Sequence, residues 1–162
     1  MRGQVRAADN IRDLPKLQHS LTGLELSLAR SMDPKRILVA DDDPRTSQML
    51  AAVADKEDYQ IVSIADGREA YRLLKTDACF KAAIFNMSMP NLKGLDIVRH
   101  MKTEKRLMRI PVLVVSAERG LKVMSDSFTA GATMFLSKPF DCQQLYRTLR
   151  LVLASRIYAH AA

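Results

Sequence analysis

Two acidic residues, Asp41 and Asp42, end the apolar run Ile37-Leu38-Val39-Ala40. Ser116 ends a second run, Val112-Leu113-Val114-Val115, and Lys138-Pro139 closes a third. Between them, Ala82 to Phe85 leads straight into Asn86 and then Met87-Ser88-Met89-Pro90. Short apolar runs bounded by turn signals read as buried strands. If the strands are parallel neighbours, groups just past their carboxyl ends converge on one crevice. That crevice would hold two carboxylates, a hydroxyl, an amide and an ammonium. A third carboxylate at position 86 would complete a phosphoryl-accepting site, because a carboxylate oxygen is an anionic nucleophile and a bound dication neutralises the transferred group. The neutral amide of Asn86 has a delocalised lone pair and no spare charge. The chemistry of the site turns on that one residue.

Holding these groups together requires a sheet, and from Lys35 onward the chain alternates strand and helix patterns. Strands are expected at Arg36 to Ala40, Tyr59 to Ala65, Ala82 to Phe85, Ile110 to Val115 and Thr133 to Leu136. Pro44 starts a helix carrying Met49, Leu50 and Val53, with Asp43 as its cap rather than a third ligand. Glu69 to Leu74 is helical, with Ala70, Leu73 and Leu74 inward, and Gly94 opens a helix carrying Leu95, Val98 and Met101. A helix from Glu118 to Ala130 is capped by Gly131, and Gln143 to Tyr158 forms the last, with Leu145, Leu149, Val152 and Ile157 inward. Five strands alternating with five helices imply right-handed crossovers and a parallel α/β sheet covered on both faces.

Ahead of this lies an extension, residues 1–33, divided from the domain of residues 34–162 at Pro34. Residues 1–9 read as disordered. Asp13 and Pro15 then signal a helix start, followed by Leu14, Leu17, Leu21, Leu24 and Leu28 at spacings of three and four. Gly23 weakens such a helix by about 1 kcal/mol. The helix therefore needs a partner surface, either its own domain or a second copy in a homodimer. His19 on it reads as an ordinary exposed histidine.

The 162 residues include no apolar run near the roughly 20 residues of a membrane span, and no secretory signal opens the chain. The expected location is cytoplasmic, with Cys79 and Cys142 as reduced, partly buried thiols. The methionines (Met87, Met89, Met101, Met108, Met124, Met134) read as core or loop filler. Five basic and four acidic groups fall in residues 1–33, so +6 of the net +7 belongs to residues 34–162. Arg99, Lys102, Lys105, Arg106 and Arg109 face only Glu104, which is either a solvated face or a docking surface for a polyanion. No aromatic residues interleave with them, which argues against nucleic acid.

The series Ile37-Leu38-Val39-Ala40-Asp41-Asp42-Asp43-Pro44, Met89-Pro90 with Gly94, Ser116-Ala117, Gly131-Ala132 and Lys138-Pro139-Phe140 resembles a response-regulator receiver domain over about residues 35–155. The resemblance implies a flavodoxin-like (βα)5 fold, a doubly wound parallel sheet of order 2-1-3-4-5, with the amino-terminal helix as an addition. It places Asn86 at the phosphoacceptor position. It makes Asp42, Asp41 (through water) and the Ser88 backbone carbonyl ligands of Mg²⁺, with Asn86 in place of a further anionic ligand. It gives Ser116 and Lys138 the phosphoryl oxygens, the Lys138-Pro139 bond a cis geometry, and Ser116 and Phe135 a switching role.

With an amide at position 86, phosphorylation there should fail and Mg²⁺ should bind weakly or not at all. Lys138 then has only Asp41 and Asp42 to neutralise. One reading is a single-domain adaptor, a pseudo-receiver that binds a histidine kinase, phosphotransfer protein or other signalling protein without being phosphorylated. Its docking face would be the fourth helix, fifth strand and fifth helix, around Lys122, Phe135, Arg147 and Arg150. A second is an ordinary phospho-accepting receiver whose aspartate was replaced by asparagine. A third has Arg99 to Arg109, or Arg147, Arg150 and Arg156, bind a cyclic dinucleotide. Catalysis is expected only with aspartate at position 86, and the residues after Lys138-Pro139 suffice for one helix and no output domain.

Overall fold

The computed structural model describes residues 23–25, 28 and 33–159, with side chains described as far as Arg156. The chain divides into two units, Met1–Pro34 and Lys35–Ala162. In the first, residues 23–25 and 28 are helical, with Leu24 and Leu28 exposed. Leu14, Leu17, Leu21 and His19 lie outside the described residues.

The second unit alternates β1 (Lys35–Ala40), α1 (Pro44–Asp55), β2 (Tyr59–Ile64), α2 (Gly67–Thr76), β3 (Ala82–Asn86), α3 (Gly94–Thr103), β4 (Val112–Ser116), α4 (Leu121–Ala130), β5 (Met134–Ser137) and α5 (Cys142–Ala159). The strands form one sheet of order β2-β1-β3-β4-β5, and every pairing is parallel. This is the flavodoxin-like order expected from the sequence.

Alternation along the strands splits the apolar side chains between two cores. Leu38, Ala40, Ala83, Phe85, Val112 and Val114 join Ala70 and Leu74 of α2 and Ile97, Val98 and Met101 of α3. Ile37, Val39, Ala82, Ile84, Leu113 and Val115 join Leu50 and Val53 of α1 and Leu145, Leu149 and Val152 of α5. All residues of β3 and β4 are buried, which is why both read as unbroken apolar runs.

Side-chain caps fix where helices begin. Asp43 accepts from the Arg45 N–H at 3.0 Å, so it is the cap of α1, with Pro44 following. Asp66 caps α2 by accepting from the N–H groups of Arg68 and Glu69. Gly131, at φ 111°, closes α4 in the left-handed conformation.

Some expectations are corrected. β4 begins at Val112 rather than Ile110, because Pro111 has no N–H and the Ile110 N–H turns back to the Leu107 carbonyl. α4 begins at Leu121 rather than Glu118, since the Glu118 N–H goes to Ser116 Oγ and Gly120 sits at φ 116°. Cys79 and Cys142 are free but exposed, not partly buried. Both sit where an element begins or follows a helix end, on the rim rather than under it. Met89 and Met101 are core residues, whereas Met108 and Met124 are exposed. The Ile157 side chain lies outside the described residues.

Candidate functional site

Parallel order carries the ends of β1, β3 and β4 to one edge of the sheet. Asn86 is the last residue of β3, in register with Val115, and Ser116 ends β4. Asp41 follows β1 directly, its N–H bonded to the Ile64 carbonyl of the neighbouring strand at 3.0 Å. Lys138 follows β5, its N–H bonded to the Ser116 carbonyl at 2.7 Å, and the Lys138-Pro139 bond is cis.

Four of the expected residues meet through side chains. Asn86 Nδ2 donates to Asp41 Oδ1 and to Asp42 Oδ1, both at 3.1 Å. Lys138 Nζ donates to Asp41 Oδ2 at 2.8 Å. The Asp43 N–H adds a third donor to Asp41 at 2.9 Å. Asp41 is only 3% exposed, so its negative charge is held in place by one ammonium and two amide donors. Asp42, by contrast, is exposed.

The donor atoms decide how this set meets a metal. Among the described residues, no three His, Cys, Asp or Glu side chains are placed to hold a metal ion. A hard dication binds oxygen. Asn86 turns its N–H₂, not its oxygen, towards both carboxylates, as two acceptor-only neighbours demand. As arranged, these residues do not fit Mg²⁺: the chain's own amide occupies the space between Asp41 and Asp42 as a donor.

Ser116 belongs to the same edge but is engaged elsewhere. It is buried, accepts from the Glu118 N–H at 3.0 Å, and directs its hydroxyl at Met87 Sδ, 3.7 Å away. Ser88 donates through its hydroxyl to Glu118 Oε1 at 3.2 Å. Phe135 is half-buried, paired in register with Val114 and packed against the α2–α3 core.

The loop that carries Met87 and Ser88 is fixed by backbone contacts from both sides. Gly67 donates its N–H to the Pro90 carbonyl, and Gly94 donates to the Met87 carbonyl at 3.2 Å. Neither glycine has room for a side chain: a Cβ on Gly67 would lie 2.0 Å from the Leu92 oxygen, and one on Gly94 2.2 Å from the Asn86 oxygen. Asn91, at φ 65°, donates to Asp66, and that bond holds the Asp66 carboxyl below its ordinary value.

Residues 37–150 match the response regulator receiver domain. The chain belongs to that family. This receiver is 29% identical over 121 residues to chemotaxis protein CheY1 of Helicobacter pylori, covering 74% of this chain and 98% of that one. It is 32% identical over 120 residues to response regulator MprA of Mycolicibacterium vanbaalenii, where it spans 51% of the relative's length. Among solved structures, chemotaxis response regulator CheY4 of Vibrio cholerae superposes with a TM-score of 0.67 at 27% identity, over 73% of this chain and 98% of that one. The receiver domain of a sensor histidine kinase from Pseudomonas aeruginosa PAO1, 23% identical with a TM-score of 0.65 over 74% of this chain and 98% of that one, carries a magnesium ion in its active-site cleft and shares the fold.

The surfaces expected to bind partners look different in three dimensions. Lys122 pairs with Asp126 at 2.8 Å, and Arg150 lies over the Tyr146 ring at 5.7 Å, while Arg147 is exposed. What the sequence reading missed is an apolar stripe on α4. Leu121, 80% exposed, is followed on the same face by Met124 and Phe128, both also exposed, while the small residues Ser127 and Ala130 face inward. The spacing of three and four was the available signal.

The basic stretch is exposed at Arg99, Lys105, Arg106 and Arg109, but several of these cations already have partners within the protein. Arg99 pairs with Asp96 at 2.8 Å and Arg106 pairs with Glu104. Lys102 donates to the Met108 and Ile110 carbonyls at 3.2 and 3.0 Å, and burial pushes its pKa down. Arg156 donates to the Phe80 carbonyl at 3.3 Å. Of the expected cyclic-dinucleotide cations, these are tied to the protein itself.

Proposed function

We propose that this receiver acts in two-component signalling through protein–protein interaction, without being phosphorylated at position 86. One observation carries the reading: the Asn86 amide donates to Asp41 and Asp42 together. A side chain in that pose is neutral, has no anionic oxygen to attack phosphorus, and already satisfies the carboxylates that would otherwise call for a dication. Weak or absent Mg²⁺ binding follows from the same contacts. The partner class is a histidine kinase, a phosphotransfer protein or another signalling protein. The Leu121, Met124 and Phe128 stripe is the docking face, since a contiguous exposed apolar strip on a basic protein marks an interaction surface.

The test is incubation with a small phosphodonor and Mg²⁺, read by intact mass. The chain is expected to stay unmodified, and acid-stable mass with no hydroxylamine-sensitive adduct is the signature; phosphate covalently attached at Asn86 overturns the proposal.

A second reading, a phospho-accepting receiver in which asparagine stands for aspartate, is favoured by the retention of Asp41, Asp42, Ser116 and Lys138 at one edge of the sheet. Asn86→Asp distinguishes the two. Rapid acyl-phosphate formation in that variant supports the second reading, and no uptake counts against it.

A further inference from the structure

Beside the carboxylate pair lies a cavity of about 440 Å³, between the start of α1 and the loops that follow β4 and β5. Its rim carries Arg45, Arg119 and Lys138, with Asp43 as its one acid, over a floor that includes Met49 and Phe140. Each carboxylate in this region already accepts at least one hydrogen bond. Asp41 takes Lys138, Asn86 and the Asp43 N–H; Asp42 takes Asn86; Asp43 takes the Arg45 N–H. The two guanidinium groups are the opposite case. Arg45 and Arg119 are exposed, and among the described residues neither side chain makes a hydrogen bond or ion pair. Each presents five N–H donors in a planar fork shaped for an oxyanion.

The floor adds a second requirement. Met49 and Phe140 are partly buried against the α1–α5 core and show their remaining surface to the cavity. The larger groove of about 690 Å³ across the site has no such surplus: its two cations, Lys93 and Arg99, are matched by two acids, Asp96 and Glu118, and Arg99 already pairs with Asp96. A ligand complementary to the smaller cavity is therefore acceptor-only at one end and flat and apolar at the other.

We infer that this cavity binds a soluble phosphate monoester carrying a flat apolar group, with its phosphoryl oxygens between Arg45 and Arg119 and its apolar part on Met49 and Phe140. The binding is non-covalent and does not depend on how Asn86 is read. Phosphate oxygens take bidentate bonds from guanidinium groups, and an aromatic body on Phe140 excludes water from them.

The experiment is calorimetric titration of the full chain with phenyl phosphate, inorganic phosphate and phenol. Phenyl phosphate is expected to bind saturably, about tenfold tighter than inorganic phosphate, with phenol silent. Arg45→Gln and Arg119→Gln should each weaken phenyl phosphate about tenfold at unchanged thermal midpoint, as befits exposed side chains. Phe140→Leu should weaken phenyl phosphate while leaving inorganic phosphate unaltered. No saturable heat with phenyl phosphate overturns the inference. So does an affinity equal to that of inorganic phosphate, or one that neither arginine substitution changes.

Discussion

At the scale of single residues, the site is a small charge network whose members are unequal. Asp41 has no exposed side-chain surface and Lys138 only 15%, so their bond at 2.8 Å is a buried ion pair. Removing one member leaves the other charge uncompensated, at a cost of about 3–5 kcal/mol. Lys138→Met should fall at the low end of that range, because Asn86 and the Asp43 N–H still bond Asp41. Adding Asp41→Asn to Lys138→Met should recover much of the loss, and urea denaturation of the two singles and the double measures the coupling. Equal, additive losses would show that the pair is not a unit. A different carboxylate contributes to the acid limb of stability. Arg36 of β1 donates to both oxygens of Asp77, at the end of α2, and lies 4.7 Å over the Phe80 ring. Desolvation pushes the Asp77 pKa up, but the Cys79 N–H and the Arg36 guanidinium outweigh it and leave the pKa below 3.8. A carboxyl lowered by folding stabilises fully above its unfolded value and loses that contribution as pH falls through its folded value. Asp77→Asn should therefore destabilise at pH 7 and cost progressively less below pH 3.8, which denaturation curves across that range would record.

At the scale of elements, the site depends on two helix starts that admit no side chain. Gly94 opens α3 against the Asn86 oxygen, and Gly67 opens α2 against the Leu92 oxygen. Since both obstacles are backbone, Gly94→Ala must shift β3 or α3, at a cost of about 1–3 kcal/mol. The same displacement moves Asn86, so thermal midpoint and the Asn86 amide resonances should change together; an unshifted midpoint would mean that α3 can back away freely. The sequence disclosed Gly94 as a helix start but not Gly67, because α2 was expected only from Glu69 whereas Asp66 caps it at Gly67, two residues earlier. Strands β3 and β4 were legible because burial on both faces leaves an unbroken apolar run. α4 was not. Periodicity identifies a stripe, here Leu121, Met124 and Phe128, without saying whether it faces the core, and Ser127 and Ala130 take the inner side instead. Nor does any pattern reveal which end of an amide faces a carboxylate, because that depends on Asp41 and Asp42 arriving from another strand.

At the scale of the whole molecule, both hydrophobic cores are assembled from side chains between Ile37 and Val152. The sheet, its five helices and the Asp41–Asn86–Lys138 network are thus complete within residues 35–159. A chain of residues 34–162 should therefore unfold cooperatively, with a thermal midpoint within about 3 °C of the full chain, since a loss of about 1 kcal/mol moves a domain of this size by that much. A larger fall would show that residues 1–33 contribute to its stability. Light scattering on the same two chains addresses the leucine spacing of residues 14–28. If that segment joins copies, the full chain has twice the mass of a monomer at micromolar concentration and the shorter chain is monomeric. Matching oligomeric states dispose of a dimer built on the leucines. Dimerisation of both would point to the α4 stripe, where replacing Leu121, Met124 and Phe128 by serine should restore monomers with little change in midpoint, because each side chain is exposed.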